Sequence, residues 1–122
     1  MQDMADKESV DALLPLQPTS FHILLSLADE DRHGYAIIQD IARRTNGEVK
    51  LSAGTLYRSI QRLQEQGLII ETRTRPAPKD DDERRRYYSI TPMGEATAEA
   101  EVRRLHSLLK MARSCGVVPR TT

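Results

Sequence analysis

The sequence has no tryptophan, one phenylalanine and one cysteine among 122 residues. Its core must therefore be mostly aliphatic. The single Cys115 excludes an internal disulfide framework and any zinc site made of several cysteines. Crosslinking two chains would need paired ends in register, whereas a free thiol suits a reducing compartment. No apolar run approaches the ~20 residues that span a bilayer. The opening stretch MQDMADKESVDALL is acidic and lacks the charged-then-apolar order of a signal peptide. An excess of one charge is missing too, since 18 basic residues balance 18 acidic ones. Together these absences favour a cytoplasmic chain without membrane contact, and the length fits one domain with an added helix.

A zero sum conceals an uneven distribution. From Met1 to Pro15 there are four acids (Asp3, Asp6, Glu8, Asp11) against one base (Lys7), a net −3. From Arg32 to Arg75 there are eight bases (Arg32, Arg43, Arg44, Lys50, Arg58, Arg62, Arg73, Arg75) against four acids (Asp40, Glu48, Glu65, Glu71), a net +4. The positive half is what phosphate contact requires.

That half contains the most informative stretch, SAGTLYRSIQRLQEQGLII from Ser52 to Ile70. Ser52 suits an N-cap, because its hydroxyl can accept from a backbone N–H in the first turn. Leu56, Ile60 and Leu63 recur at spacings of four and three, which puts them on one helical face. Gly67 is the expected stop. The other face carries Arg58, Gln61, Arg62 and Glu65, flanked by Thr55 and Tyr57. Such a face is usually just solvated; here its guanidinium, amide and hydroxyl groups could also reach phosphates and base edges in a major groove. Tyr57 is either a core-edge aromatic or a hydroxyl donor to phosphate.

The preceding segments supply the context. Residues 1–17 form an arm, with packing on a partner chain and simple disorder both open. Thr19 or Ser20 is the expected cap of a helix whose apolar face is Phe21, Leu24, Leu25 and Ala28, widened by Ile23 and Leu27. Asp29, Glu30 and Asp31 end it. His33 and Gly34 make a turn, with His33 as a cap or solvent-facing residue, and Tyr35 opens a second helix striped by Ile37, Ile38, Ile41 and Ala42. Arg43 and Arg44 lie in its last turn, where cations favour the helix dipole. Asn46-Gly47 is a stop.

Beyond Gly67, period-two alternation continues on both sides of a polar tip. Leu68, Ile70 and Thr72 alternate with Ile69, Glu71 and Arg73, then Arg86, Tyr88 and Ile90 with Arg85, Tyr87 and Ser89. The tip from Pro76 to Glu83 should be exposed. Tyr88 is expected in the core, and Tyr87, on the other face, at the wing base or a phosphate. Thr91 caps a last helix with Pro92 in its first turn. There Ala98, Val102, Leu105, Leu109 and Ala112 are spaced 4, 3, 4 and 3, with Leu108 widening the seam. So small a domain has little room to bury it, and a second copy is the natural partner; folding back on its own domain is the rival.

Two helices, a link, a third helix and a hairpin is the order of a winged helix-turn-helix, a mainly α (α+β) fold. The expected division is an arm (1–17), the winged domain (18–91), a dimerisation helix (92–116) and a tail (117–122). The sequence also resembles the PadR-type transcriptional regulators from about Phe21 to Ala112. The carrying residues are Ile23-Leu24-Leu25-Ser26-Leu27, His33-Gly34-Tyr35, Gly54-Thr55-Leu56-Tyr57, Arg62-Leu63, Gly67-Leu68-Ile69, Arg85-Arg86-Tyr87-Tyr88, Thr91 and Gly94. Their order and spacing match together. The resemblance implies a winged-helix repressor, dimeric through its last helix, of the short subgroup with one terminal helix. Two departures stand out. Arg58 occupies the place where such proteins commonly have Pro, which adds a reaching cation. The wing tip carries four acids, Asp80 to Glu83, where bases would suit phosphate better.

No Ser/His/Asp order, glycine-rich phosphate loop or His-containing metal cluster appears, so no enzymatic activity, cofactor or metal is expected. The expected partners are a second copy and a double-stranded DNA operator, with an inducer of unknown identity. The expected DNA contacts are Tyr35, Ser52, Thr55, Tyr57, Arg58, Gln61, Arg62, Arg73, Arg84, Arg85, Arg86 and Tyr87. A winged module that binds only protein is the rival, suggested by the neutral sum and the acidic wing.

Overall fold

The computed structural model describes residues 2–72 and 86–117, with side chains from Lys7 onward. Helix α1 spans Gln2–Ala12, α2 Pro18–Asp29, α3 Gly34–Arg44 and α4 Ala53–Glu65. Strands β1 (Arg32–His33), β2 (Ile69–Thr72) and β3 (Tyr87–Ile90) form one antiparallel sheet in the order β1-β3-β2. Helix α5, Pro92–Ser114, closes the chain. The fold is the expected winged helix-turn-helix, mostly helical with a small sheet.

The core is aliphatic, as the shortage of aromatics requires. Ile23, Leu24 and Leu27 of α2 meet Ile37 and Ile41 of α3 and Leu56, Ile60 and Leu63 of α4, with Leu68, Ile69 and Tyr88 beneath. Burying each large side chain contributes roughly 1.5–3 kcal/mol. Capping sets the ends of the helices. Ser52 Oγ accepts from Thr55 N at 3.2 Å. His33 Nδ1 accepts from Ala36 N at 3.2 Å, and Thr91 Oγ1 from Gly94 N at 2.9 Å. Gly67, at φ 78°, follows α4 in the left-handed conformation its position requires.

Several expectations are corrected. The arm is not disordered: it forms α1, which packs on α5 of its own chain with Val10 buried. Helix α2 starts at Pro18 after Gln17, which makes no side-chain cap, so neither Thr19 nor Ser20 is the cap. Proline at the first helical position lacks one of the N–H groups a cap would serve. The buried face of α2 is Ser20, Ile23, Leu24, Ser26 and Leu27, and Leu25 and Ala28 point outward. Strand β1 was not expected; it is two residues long, too short for a period to register. Ala98 belongs to the chain's own core rather than to an outward seam. The wing tip from Pro76 to Glu83, with Arg73, Arg84 and Arg85, lies outside the described residues, as does the tail from residue 118.

Candidate nucleic-acid interface

Helix α4 buries Leu56, Ile60 and Leu63 and turns Tyr57, Arg58, Gln61 and Arg62 outward. Its first turn is self-organised. Ser52 Oγ donates to Thr55 Oγ1 at 3.1 Å, and Arg58 Nη2 donates to the same oxygen at 3.4 Å. Ser52 and Thr55 therefore use their hydroxyls on the cap and on Arg58. Arg58 in turn leans back over the start of the helix, its Nη1 3.5 Å from where a Cβ on Gly54 would stand.

Tyr57 is 48% exposed and Tyr35, in the first turn of α3, 61%. The Tyr57 hydroxyl reaches the start of α3 and occupies the space a Gly34 side chain would need, with Cζ 2.7 Å from that position. This close approach is possible because residue 34 has no Cβ. Tyr57 is thus a half-exposed aromatic braced across two helices, intermediate between the two roles foreseen for it.

Arg62 is not free on its surface. Its Nη1 donates to Gln17 Oε1 at 2.6 Å, a contact between residues 45 apart in sequence that no local pattern reveals. Arg86 is exposed at the wing base and lies 3.9 Å from Glu71 Oε2, a loose surface pair worth little. Tyr87 is corrected. It is 7% exposed and packs edge-on against His33 at a centroid distance of 5.3 Å. Because β3 is the central strand, β1 pairs along the edge that a two-stranded wing would leave open, and Tyr87 serves the wing base.

Beneath the interface lies an ionic cluster that sequence reasoning missed. Asp40, 2% exposed, accepts from Arg44 Nε at 2.8 Å and from Arg43, with Arg32 Nη2 at 3.5 Å. Burial alone would raise its pKa. The nearby Ser26 hydroxyl, Arg44 and the Arg32 charge outweigh that and hold it below the usual carboxylate range. The cluster joins α3 to β1 and, through Asp29, to the end of α2. The one available signal was an acid inside an isoleucine stripe with arginines three and four residues on.

Among the described residues, no group of three or more His, Cys, Asp or Glu is placed to hold a metal ion, and no helix is long and apolar enough to cross a membrane.

A three-helix core, an outward third helix and an antiparallel wing define a winged helix-turn-helix protein. The profile of the transcriptional regulator PadR-like family matches residues 23–100, and the chain belongs to that family. It is similar to the transcriptional regulator Rv3488 of Mycobacterium tuberculosis, 33% identical over 73% of this chain and 77% of that one. It is also similar to an uncharacterized protein, X, of Lysinibacillus sphaericus, 36% identical over 61% of this chain; the match spans 65% of that relative's length. Among solved structures, a transcriptional regulator of Clostridium thermocellum superposes with a TM-score of 0.66 at 26% identity, over 79% of this chain and 87% of that one. The chain is therefore a transcriptional regulator of a DNA-binding family.

Proposed function

We propose that two copies of this chain pair through the outer half of α5 and bind a palindromic operator as a repressor, which a ligand or stress signal releases. The observation that carries the pairing is on α5. Val102, Leu105, Leu108 and Leu109 are each between 41% and 51% exposed, on a helix whose first half buries Gly94, Thr97, Ala98, Ala100 and Glu101. Four large apolar side chains in one stretch of a surface helix favour a partner. Ala112, one turn further on, is partly covered.

Two-fold pairing would present two α4 faces to half-sites about 34–36 Å apart, one turn of duplex. Tyr35, Ser52, Thr55, Tyr57, Arg58, Gln61, Arg62 and Arg86 are the proposed contacts, with Arg73, Arg84 and Arg85 beyond the described residues. Repression and release rest on the family resemblance. A groove of about 620 Å³ between α1 and α5 is of a size that suits a small molecule.

Selection of bound duplexes from a random pool, at stated salt, tests the DNA reading. A palindromic motif is expected, and enrichment of none would favour the rival protein-binding module. Leu105→Asp tests the pairing, because an unpaired carboxylate in an apolar interface is costly. Monomer by light scattering, near-native helicity and a collapse of operator affinity through lost avidity are expected. A variant that stays dimeric and binds normally would overturn the α5 interface.

A further inference from the structure

We infer that the segment between α1 and α2 is a strap that positions Arg62 on the groove helix, with Gln17 as its positioning residue. The proposal rests on the reading of α4 as the DNA-contacting helix. The segment is held at its α2 end, by the neighbouring residues Leu16 and Gln17. The Leu16 backbone N–H faces the carboxylate of Glu101 on α5 and favours its charge. Glu101 is 3% exposed and is gripped by Arg104, through Nε at 2.8 Å and Nη2 at 2.7 Å. The bidentate arginine and the Leu16 N–H keep the carboxylate charged despite burial. Leu13 and Leu16 also pack on the common core. At the next residue, Gln17 Oε1 accepts from Arg62 at 2.6 Å.

The choice of partner matters. Gln17 is neutral, so it fixes the direction of the guanidinium without cancelling its charge. Only one of the five N–H donors of the guanidinium is used by that bond, and the rest remain for a phosphate. A freely rotating arginine loses side-chain entropy when it docks, and a held one loses less. Gln17 makes no cap for α2 and is itself exposed, so this contact is the role the structure gives its side chain. The same strap links α5, the proposed pairing helix, to the groove helix.

The test uses the full chain and a duplex enriched from the random pool, titrated across a salt series. Gln17→Ala should weaken binding about three- to tenfold while leaving the slope of log affinity against log salt unchanged, because the charge stays. Gln17→Glu should weaken it further and flatten the slope by about one, as Arg62→Ala should, since either removes one phosphate-neutralising charge. On an Arg62→Ala background, Gln17→Ala should cost nothing more; a merely structural effect would persist there. Wild-type affinity in Gln17→Ala, or additive losses in the double variant, would overturn the strap while Arg58→Ala and Arg62→Ala still weaken binding. If neither arginine variant weakens binding, the groove reading falls and the strap with it.

Discussion

Gly94→Ala is the sharpest test of how α5 is seated. Gly94 lies in the first turn of α5, where Thr91 Oγ1 caps it and donates to Gly67 O at 2.7 Å, while Thr91 N donates to Leu68 O at 3.0 Å. A Cβ on Gly94 would stand far inside contact distance of Leu68 O, 2.8 Å from Ile90 Cγ1 and 3.1 Å from Leu68 C. Ile90 can rotate. The Leu68 carbonyl cannot withdraw, because Leu68 N is tied to Leu63 O at 2.9 Å and its oxygen holds Thr91. Carbon contacts are favourable at about 3.5–4.0 Å, so α5 would have to retreat by roughly 1 Å. Overpacking of this kind costs about 1–3 kcal/mol, and straining the Thr91–Leu68 bond adds about 1 kcal/mol. Better helix propensity returns less than about 1 kcal/mol. A net loss of about 2–3 kcal/mol should lower the melting temperature by roughly 6–15 °C in a domain of this size. Circular dichroism melts, with urea midpoints at constant m-value, would measure it. Gly54→Ala is the control, since its Cβ would meet only Arg58 Nη1 at 3.5 Å, and better helix propensity should leave it melting at or up to about 5 °C above the wild type. If Gly94→Ala melted within about 2 °C of the wild type, α5 would not be seated on the β2 approach as described.

Gly34→Ala meets the movable end of Tyr57 instead of backbone, with Leu56 Cδ2 at 3.2 Å, so melting should change little while Tyr57 is displaced. Affinity for a selected duplex should fall up to about tenfold, the worth of one good hydrogen bond, and Tyr57→Phe should match it; normal binding by both variants would remove Tyr57 from the interface. The pKa values of Asp40 and Glu101 are both lowered in the folded chain, Glu101 chiefly by the Arg104 hydrogen bonds and Asp40 against its own burial. Their contribution is therefore fully present above the ordinary carboxylate value of about 4 and is lost as pH falls through the folded values. Urea midpoints should be flat from pH 7 to about 5 and fall below about pH 4, and Asp40→Asn should lower the neutral midpoint yet flatten the acid limb; an unchanged acid limb would remove Asp40 as its source.

What was legible in the sequence was what repeats. Leu56, Ile60 and Leu63 fall at helical spacing and are buried as a set. Ser52, His33 and Thr91 cap because cap chemistry is local, decided within three residues. What stayed hidden was pairing across long separations. Gln17 and Arg62 are 45 residues apart, and nothing in either neighbourhood marks the other. Strand β1 exists only because β3 offers it an edge, and that edge is what buries Tyr87 and changes its role. The face of α2 was misjudged because Leu25 is as apolar as Ile23, and the elements packed around α2, which are α3, α4, α5 and β3, decide which of the two is covered.

The same logic explains why one helix can serve two sides. Along α5, Ala96, Ala100, Arg103 and Ser107 recur at near-heptad spacing and line the groove against α1. Val102, Leu105 and Leu109 follow the same spacing two residues out of phase, about 200° around the helix, and stay exposed. A stripe two residues out of step falls on the opposite face, so packing by α1 leaves the apolar stripe uncovered. A partner on that stripe would therefore reach the groove helix through the body of α5 and not by touching it. The buried carboxylate of Glu101 lies between the two stripes, where it can hold the Leu16–Gln17 strap without being spent on either contact. Its burial would be wasteful for stability alone, since a well-packed apolar side chain serves as well at such a site; the charge it presents to the Leu16 backbone N–H is what an apolar residue could not supply.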